Sequence, residues 1–312
     1  HLRVELRPRL IEHRHHQIGA MIDAARIRRL FAKQHLEQCA SSGLAPRYWL
    51  INTGNANAGT GEAGLQDAYA SCAAVAEQAG VEQAQVLPFS TGVIGEPLPM
   101  ERLLAGLPGA FDTLADSSQA WQQAGEGILT TDTRAKGATV TVDIGDHQVT
   151  INGITKGSGM IKPNMATMLG FVVTDAAIEQ PLLATLLRET VDRSFNCITV
   201  DSDTSTNDAC MLAATGTGAR IESDEHITVF RNALQRVMTE LAQAIIRDGE
   251  GATKFVTLQV NEASTRQEAL DVAFTVAHSP LVKTALYASD ANWGRILAAV
   301  GRAPVGAFDV SR

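Results

Sequence analysis

The chain has 312 residues, of which 45% are hydrophobic and 19% charged, so it can bury one large core or two moderate ones. Its formal net charge of −8 argues against a nucleic-acid or anionic-membrane partner, because such binding depends on Lys and Arg neutralising phosphates. No apolar run has the length of a membrane span and the first residues lack the apolar core of a signal peptide, so we expect a cytoplasmic protein that acts on small molecules.

The cysteine spacing indicates neither a metal site nor a disulfide framework. Cys39, Cys72, Cys197 and Cys210 form no CxxC pair, and no His lies at metal-ligand spacing from them. We therefore expect reduced, mostly buried thiols and no bound metal.

Residues 1–47 differ in composition from the rest of the chain. Residues 1–33 carry seven Arg, one Lys and four His, against only Glu5, Glu12 and Asp23, and they show no clean apolar period. Two interpretations stay open, namely a basic helical extension and a segment that is not native coding sequence.

From Tyr48 the pattern becomes regular. Residues 48–51 are typical of a buried strand, and residues 65–79 of a helix that Gly80 ends. The loop between them, residues 52–61, has neither the Lys-Ser/Thr ending of a P-loop nor GxGxxG spacing, so it predicts no phosphate site.

Residues 86–95 form a short apolar element that Ser90-Thr-Gly92 interrupts. A Thr-Gly pair at such a break can direct a hydroxyl and an N–H to one point, as an oxyanion hole requires. The pair Thr91 and Gly92 can equally be an ordinary turn.

The remaining elements alternate between helical and strand periods. We predict helices at residues 99–107, 113–124, 182–193, 229–247, 266–277 and 293–300, and strands at residues 139–144, 148–151, 169–174, 210–214 and 255–260. Asp201 begins a calcium-like spacing, but Leu212 stands where the bidentate Glu belongs, so we expect a hydrogen-bonded turn. The alternation of helices and strands predicts an α/β or α+β fold.

The long loop at residues 156–169 is the candidate functional segment, since ordinary connectors are shorter and more polar. A threonine becomes nucleophilic if the peptide bond before it is cut, because its new α-amino group, with a pKa of about 7.7–8.0, acts as a base beside its hydroxyl. Thr167, preceded by the small Ala166, fits that scheme, although a β-branched residue beside a strand is also explained as a strand former. No Ser lies in a GxSxG elbow, so a Ser-His-Asp enzyme is not expected.

Eight motifs in order are similar to those of the ornithine acetyltransferase (glutamate N-acetyltransferase) family of arginine biosynthesis, and the resemblance runs from about Trp49 to Arg312. The motifs are Leu50-Ile-Asn-Thr-Gly-Asn-Ala-Asn-Ala-Gly-Thr-Gly61, Ser90-Thr-Gly-Val-Ile-Gly95, Thr130-Thr-Asp-Thr133, Lys156-Gly-Ser-Gly-Met-Ile161, Met165-Ala-Thr-Met-Leu169, Ser205-Thr-Asn-Asp208, Arg247-Asp-Gly-Glu-Gly-Ala-Thr-Lys254 and Asp290-Ala-Asn-Trp-Gly-Arg295.

The resemblance implies a mixed α/β, N-terminal-nucleophile-like fold of two lobes, residues 48–166 and residues 167–312. It implies a precursor that cuts itself between Ala166 and Thr167, after which Thr167 carries an acetyl group from N2-acetylornithine to glutamate. It also implies that the two chains from one precursor assemble into a higher oligomer of αβ units.

The resemblance further implies a role for each matched site residue. Thr91 and Gly92 match the oxyanion hole, and the substrate-binding positions are Thr130, Lys156, Thr167 and Glu250. A lysine is a sensible partner for a substrate carboxylate, and a glutamate for a substrate ammonium. No cofactor or metal is needed, although some members of the family accept acetyl-CoA as donor.

Two other functional hypotheses stay open. A self-processing amidase or aminopeptidase of related architecture would release the acyl group to water. An inactive partial copy is the other, because residues 1–47 do not resemble the family's opening and the family continues beyond Arg312.

Overall fold

The computed structural model describes residues 2–5, 20–22, 41–162 and 168–306. Two sheets are present in these residues, a three-stranded sheet of order β1-β3-β4 and a five-stranded sheet of order β2-β8-β7-β6-β5. The strands are β1 (Leu2–Glu5), β2 (Ala20–Ile22), β3 (Tyr48–Asn55), β4 (Val86–Val93), β5 (Lys136–Ile144), β6 (His147–Lys156), β7 (Leu169–Thr174) and β8 (Ala209–Ala214).

Helices are interspersed with the strands along the chain, which confirms the mixed α/β prediction. They are α1 (Gly61–Ala79), α2 (Met100–Asp112), α3 (Ser118–Gly127), α4 (Gln180–Asp192), α5 (Asp224–Arg247), α6 (Arg266–Ala277), α7 (Pro280–Tyr287) and α8 (Trp293–Val300). Gly80 ends α1 as predicted, in the left-handed conformation with φ 67°, which glycine adopts without steric cost.

The two sheets pack face to face around Phe171 of β7. Its ring centroid lies 5.4 Å from that of Trp49 in β3 and 5.1 Å from that of Phe89 in β4. Leu87, Ile154 and Met211 belong to the same buried cluster. This apolar layer therefore joins the three-stranded sheet to the five-stranded one.

Helices cover the outer face of each sheet. On the three-stranded sheet, Val75 of α1 and Leu107 of α2 pack with Leu50 and Val86. On the five-stranded sheet, the buried face of α5, which includes Leu241, packs with residues of α4, β5, β6, β7 and β8. The result is four layers in the order helix, sheet, sheet, helix.

Two local predictions were wrong, and one helix was not predicted. Strand β4 runs unbroken through the Thr91-Gly92 pair, because each of its residues pairs with β3 in parallel register. Residues 255–260 form no strand in the structure described, since an alternating pattern forms a strand only beside a partner. Helix α7 was missed, although Pro280 at its first turn is a helix-start signal.

Residues 2–5 and 20–22 of the atypical N-terminal segment form strands, and most of the proposed basic helical extension lies outside the described residues. Strand β1 pairs antiparallel with β3, and β2 pairs antiparallel with β8. No helix of the described residues is long and apolar enough to cross a membrane. In the same residues, no group of three His, Cys, Asp or Glu side chains could hold a metal ion.

Of the cysteines, Cys39 lies outside the described residues. Cys72 and Cys210 are buried free thiols, as expected, whereas the free thiol of Cys197 is exposed.

Candidate functional site

Lys156 ends strand β6, which lies between β5 and β7 in the five-stranded sheet, and it is only 1% exposed. Its Nζ atom lies 2.8 Å from Thr130 Oγ1 and 3.3 Å from Thr91 Oγ1. Thr91 comes from β4 of the other sheet, and Thr130 from the loop after α3. The two sheets thus bring together three residues that were assigned to the site from separate motifs.

The lysine ammonium determines how both threonine hydroxyls bond. An ammonium group can only donate hydrogen bonds, so Thr91 and Thr130 accept from Lys156 with their oxygens. Each hydroxyl therefore keeps its own proton for donation to another acceptor. A donating hydroxyl at Thr91 is what stabilisation of an oxyanion requires.

Burial is the main cause that lowers the pKa of Lys156, because removal from water disfavours the charged form. The carboxylate of Asp132 opposes this effect, with its Oδ2 atom 3.8 Å from Lys156 Nζ. Asp132 also accepts the backbone N–H groups of Thr130 at 3.2 Å and Gly157 at 2.7 Å. One carboxylate therefore holds both the loop and the end of the strand that form the site.

A second buried lysine continues this polar network. Lys136 Nζ lies 2.6 Å from Asp132 Oδ1 and 2.6 Å from Asp248 Oδ2, and its side chain is 1% exposed. Asp248 also accepts the N–H of Thr133 at 3.0 Å and the Thr133 hydroxyl proton. Burial acts to raise the pKa of Asp132 and of Asp248, but several opposing effects together outweigh it, so both pKa values are lowered. Lys136 acts on both carboxylates, Lys156 and the Gly157 N–H act on Asp132, and Thr133 acts on Asp248.

Gly92 follows Thr91 in β4, where the backbones of β3 and β4 are very close. A Cβ atom at Gly92 would lie 2.3 Å from the carbonyl carbon of Gly54, and its φ of 133° is one that other residues rarely adopt. Only glycine fits at this position, which keeps Thr91 and the Gly92 backbone in register with β3.

Glu250 follows the α5 terminus, next to the polar network. Its backbone N–H donates to Ser158 O at 2.9 Å, and its carboxyl group covers Gly159, where an added Cβ would lie 2.8 Å from the carboxyl carbon. Glu250 also contributes to the electrostatic environment of Lys156. The exposed Glu250 side chain therefore lies beside the loop that begins at Lys156.

Ala166 and Thr167, the predicted cleavage point and nucleophile, lie outside the described residues. The structure brings together Thr91, Thr130 and Lys156, and it places Gly92 and Glu250 beside them. Sequence reasoning missed the charged residues Asp132, Lys136 and Asp248. Their signal was present, since Asp132 and Asp248 lie inside two of the matched motifs and Lys136 is four residues after Asp132.

Residues 21–312 of the chain match the model of the ArgJ family. The match therefore begins well before Trp49. The arginine biosynthesis bifunctional protein ArgJ of Methylococcus capsulatus is 55% identical over 284 residues, which cover 90% of this chain and 68% of that protein. The chain spans about two thirds of the length of such curated relatives.

Two solved structures are also similar. The arginine biosynthesis bifunctional protein ArgJ of Bacillus halodurans is 36% identical, with a TM-score of 0.42 over 47% of this chain and 75% of that chain. The ornithine acetyltransferase of Mycobacterium tuberculosis, complexed with ornithine, is 27% identical, with a TM-score of 0.39 over 47% of this chain and 77% of that chain.

Proposed function

The chain belongs to the ArgJ family, and from that premise we propose that it is a self-processing ornithine acetyltransferase with Thr167 as nucleophile. The observation that carries this proposal is the contact of the buried Lys156 and Thr91 with each other and of Lys156 with Thr130, where the loop that contains Thr167 begins. Family membership supplies the reaction class, and these three residues supply groups suited to an acyl-transfer site.

The first step of the proposed reaction is cleavage of the precursor. The Thr167 hydroxyl oxygen attacks the carbonyl carbon of Ala166, the C–N bond between the two residues breaks, and the nitrogen takes up a proton to become an α-amino group. Water then hydrolyses the resulting ester, which leaves a carboxylate on Ala166 and restores the hydroxyl of Thr167. The freed α-amino group serves as the base for later turnovers.

In the second step, the Thr167 hydroxyl attacks the acetyl carbonyl of N2-acetylornithine. The amide bond breaks, ornithine leaves with a proton on its amino group, and acetyl-threonine remains. The amino group of glutamate then attacks this ester, so that N-acetylglutamate and free Thr167 are formed. Because an acetyl group passes between two amines through an ester, the exchange needs no metal or redox cofactor.

Each described site residue has a role in this proposal. The Thr91 hydroxyl and the Gly92 N–H stabilise the oxyanion that forms at the acetyl carbonyl. Thr130 and Lys156 bind the substrate, and the Lys156 ammonium is a partner for its α-carboxylate. Glu250 is a partner for the side-chain ammonium of ornithine.

The same proposal includes how the two chains assemble, which acetyl donors the enzyme uses and where in the cell it acts. The products of cleavage, residues 1–166 and residues 167–312, remain together as αβ units that form a higher oligomer. Acetyl-CoA is a second candidate acetyl donor. Amino-acid biosynthesis from free glutamate fits a cytoplasmic location.

The test combines a denaturing gel, intact mass and an acetyl-transfer assay with N2-acetylornithine and glutamate. We expect two fragments that meet at Ala166 and Thr167. Thr167→Ala abolishes both cleavage and transfer, whereas Lys156→Ala retains measurable cleavage and mainly raises the KM, by about tenfold or more. Equal loss of cleavage in both variants would contradict these separate roles.

The same assay distinguishes the other functional hypotheses. Release of acetate at the same rate with and without glutamate identifies an amidase. A chain that stays single, and that Thr167→Ala does not change, identifies an inactive copy.

A further inference from the structure

Residues 199–209, which we name the anchoring segment, contact the chain on both sides of the proposed cleavage point. This segment contains the calcium-like spacing that the sequence analysis interpreted only as a turn. In the part of the chain that the structure describes, it bonds to residues 160–161 before the proposed cleavage point and to Met168 after it.

Asp201 holds the chain before the cleavage point with both of its carboxyl oxygens. Oδ2 accepts the N–H of Met160 at 2.6 Å, and Oδ1 accepts the N–H of Ile161 at 3.0 Å. Met160 has a φ of 53°, in the left-handed region that non-glycine residues rarely enter. Two backbone N–H groups that donate to one carboxylate therefore support an unusual backbone conformation at this point.

The carbonyl group of Ile161 is held as well. Ile161 O accepts the N–H of Val200 at 2.8 Å and the Thr199 hydroxyl proton at 2.9 Å. Thr199 in turn lies 3.0 Å from His278 Nε2, which connects the anchoring segment to the end of α6. Both polar groups of the Ile161 backbone thus have fixed partners.

Asp208 holds the chain on the other side, directly after Thr167. Its Oδ1 atom accepts the N–H of Met168 at 2.9 Å, and the N–H of Ala209 donates to Met168 O at 3.1 Å. Asp208 is 5% exposed, so water competes little for this contact. Burial raises the pKa of its carboxyl group to about 8.

The anchoring segment also contacts β4, the strand that contains Thr91 and Gly92. The Asn207 side-chain amide donates to Ala56 O and, at 3.2 Å, to Ser90 Oγ, next to Thr91. One segment therefore contacts the chain before the proposed cleavage point, the chain after it, and Ser90, the neighbour of a proposed oxyanion donor.

We propose that Asp201 and Asp208 are positioning residues for cleavage at Ala166 and Thr167, since they fix the backbone before and after the intervening residues. Intramolecular attack is fast only where the reacting atoms are held close together, and a loop fixed at both ends samples fewer unproductive arrangements. The inference rests on the proposed function, because it needs Thr167 to attack the Ala166 carbonyl group.

The two carboxyl groups differ in when they act. Before cleavage, both fix one continuous loop. After cleavage, Asp201 holds only the chain that ends at Ala166, whereas Asp208 still holds the chain that begins with the nucleophile. Asp201 therefore serves cleavage alone, and Asp208 serves both cleavage and acetyl transfer.

The experiment follows precursor conversion by intact mass in a cell-free translation pulse of the full chain. Asp201→Ala and Asp208→Ala each lower the cleavage rate by about tenfold or more. Asp203→Asn is the matched control, because this exposed residue belongs to the same segment and bonds to it only through its backbone N–H. Its cleavage rate stays within about twofold of wild type.

The fully cleaved proteins are then assayed for acetyl transfer. After long incubation, Asp201→Ala transfers with a kcat within about threefold of wild type, whereas Asp208→Ala loses about tenfold in kcat with little change in KM. A structural role alone would lower both steps of both variants in proportion to the loss in Tm, and that result would overturn the proposal.

Asparagine variants provide a second test where alanine prevents folding. Asp208 uses one oxygen as acceptor, so Asp208→Asn can restore its contact, whereas Asp201 uses both oxygens and Asp201→Asn restores only one. We expect nearly full recovery of cleavage at position 208 and partial recovery at position 201. A wild-type chain that never cleaves refutes the proposed function itself, whereas cleavage at the wild-type rate in all four variants refutes only the positioning roles.

Discussion

Lys136 Nζ lies 2.6 Å from Asp248 Oδ2, and the two residues are 112 positions apart in the chain. They stand on opposite sides of the proposed cleavage point, one at the start of β5 and the other directly after α5. The same ammonium also donates to Asp132, whose carboxylate accepts the N–H of Thr130 in the loop after α3. A single buried cation therefore connects the two halves of the chain and supports the site.

Lys136→Met should destabilise the protein strongly. It removes the cation that lies nearest to the buried carboxylates of Asp132 and Asp248, and removal of one partner from a buried ion pair costs about 3–5 kcal/mol. Urea unfolding measures this loss. Arg134→Gln is the control, because Arg134 is 58% exposed at 3.9 Å from Asp248, and we expect it to cost less than about 1 kcal/mol. Similar losses in the two variants would show that the buried network contributes little.

Low pH should lower the free energy of unfolding, because Asp132 and Asp248 become protonated. Their folded-state pKa values are below the ordinary 3.8, so the unfolded chain binds protons first as the pH falls. Their stabilising contribution is therefore complete above about pH 5 and is lost as the pH falls through the folded-state values. In urea unfolding between pH 7 and pH 3, the unfolding free energy of Asp248→Asn should change less than that of wild type. Equal changes in the two proteins would contradict this role of Asp248.

Asp208 should act in the opposite direction. Its folded-state pKa of about 8 lies above the ordinary 3.8, so the folded protein keeps a proton that the unfolded chain has lost. Between these two values, its contribution to the unfolding free energy falls as the pH rises. The asparagine of Asp208→Asn does not titrate. From pH 5 to pH 8, the unfolding free energy of wild type should therefore fall relative to that of this variant. A difference that is constant over this range would contradict the assignment.

Gly92→Ala should displace β4 and abolish cleavage. The new Cβ would collide with the Gly54 backbone at 2.3 Å, so Thr91 could no longer keep its place beside Lys156. Gly95→Ala separates this collision from the cost of positive φ. Gly95 has a φ of 85°, and a Cβ added there would have no atom within 4 Å. We therefore expect Gly95→Ala to lower the free energy of unfolding by about 1–2 kcal/mol and to retain cleavage. Intact mass and thermal unfolding check both variants.

The sequence predicted the elements whose signals are local. Gly80 at the end of α1 and the β5–β6 hairpin were found because a terminating glycine and an alternating pattern each act within a few residues. The strand expected at residues 255–260 failed for the complementary reason, since strand formation depends on a partner that no local pattern specifies.

The site was predicted only in part. Lys156, Thr91 and Thr130 were assigned through motif resemblance, but their contacts span 65 and 26 positions and follow from how the two sheets pack. The role of Asp248 was missed because its partner Lys136 lies in another element, and charge spacing along the chain carries no information about such a pair. The anchoring contacts of Asp201 and Asp208 likewise depend on the fold.

The proposed cleavage point lies between β6 and β7, which are neighbours in one sheet and pair antiparallel from Lys156 with Leu169 to Ile151 with Thr174. Cleavage at this point breaks none of the hydrogen bonds between β6 and β7, so these strands still join the two chains in the native molecule. Its refolding, however, becomes a bimolecular reaction between two chains, whose rate depends on protein concentration, whereas the precursor folds as a single molecule. At low protein concentration, the cleaved protein should therefore refold more slowly after unfolding than the uncleaved precursor does.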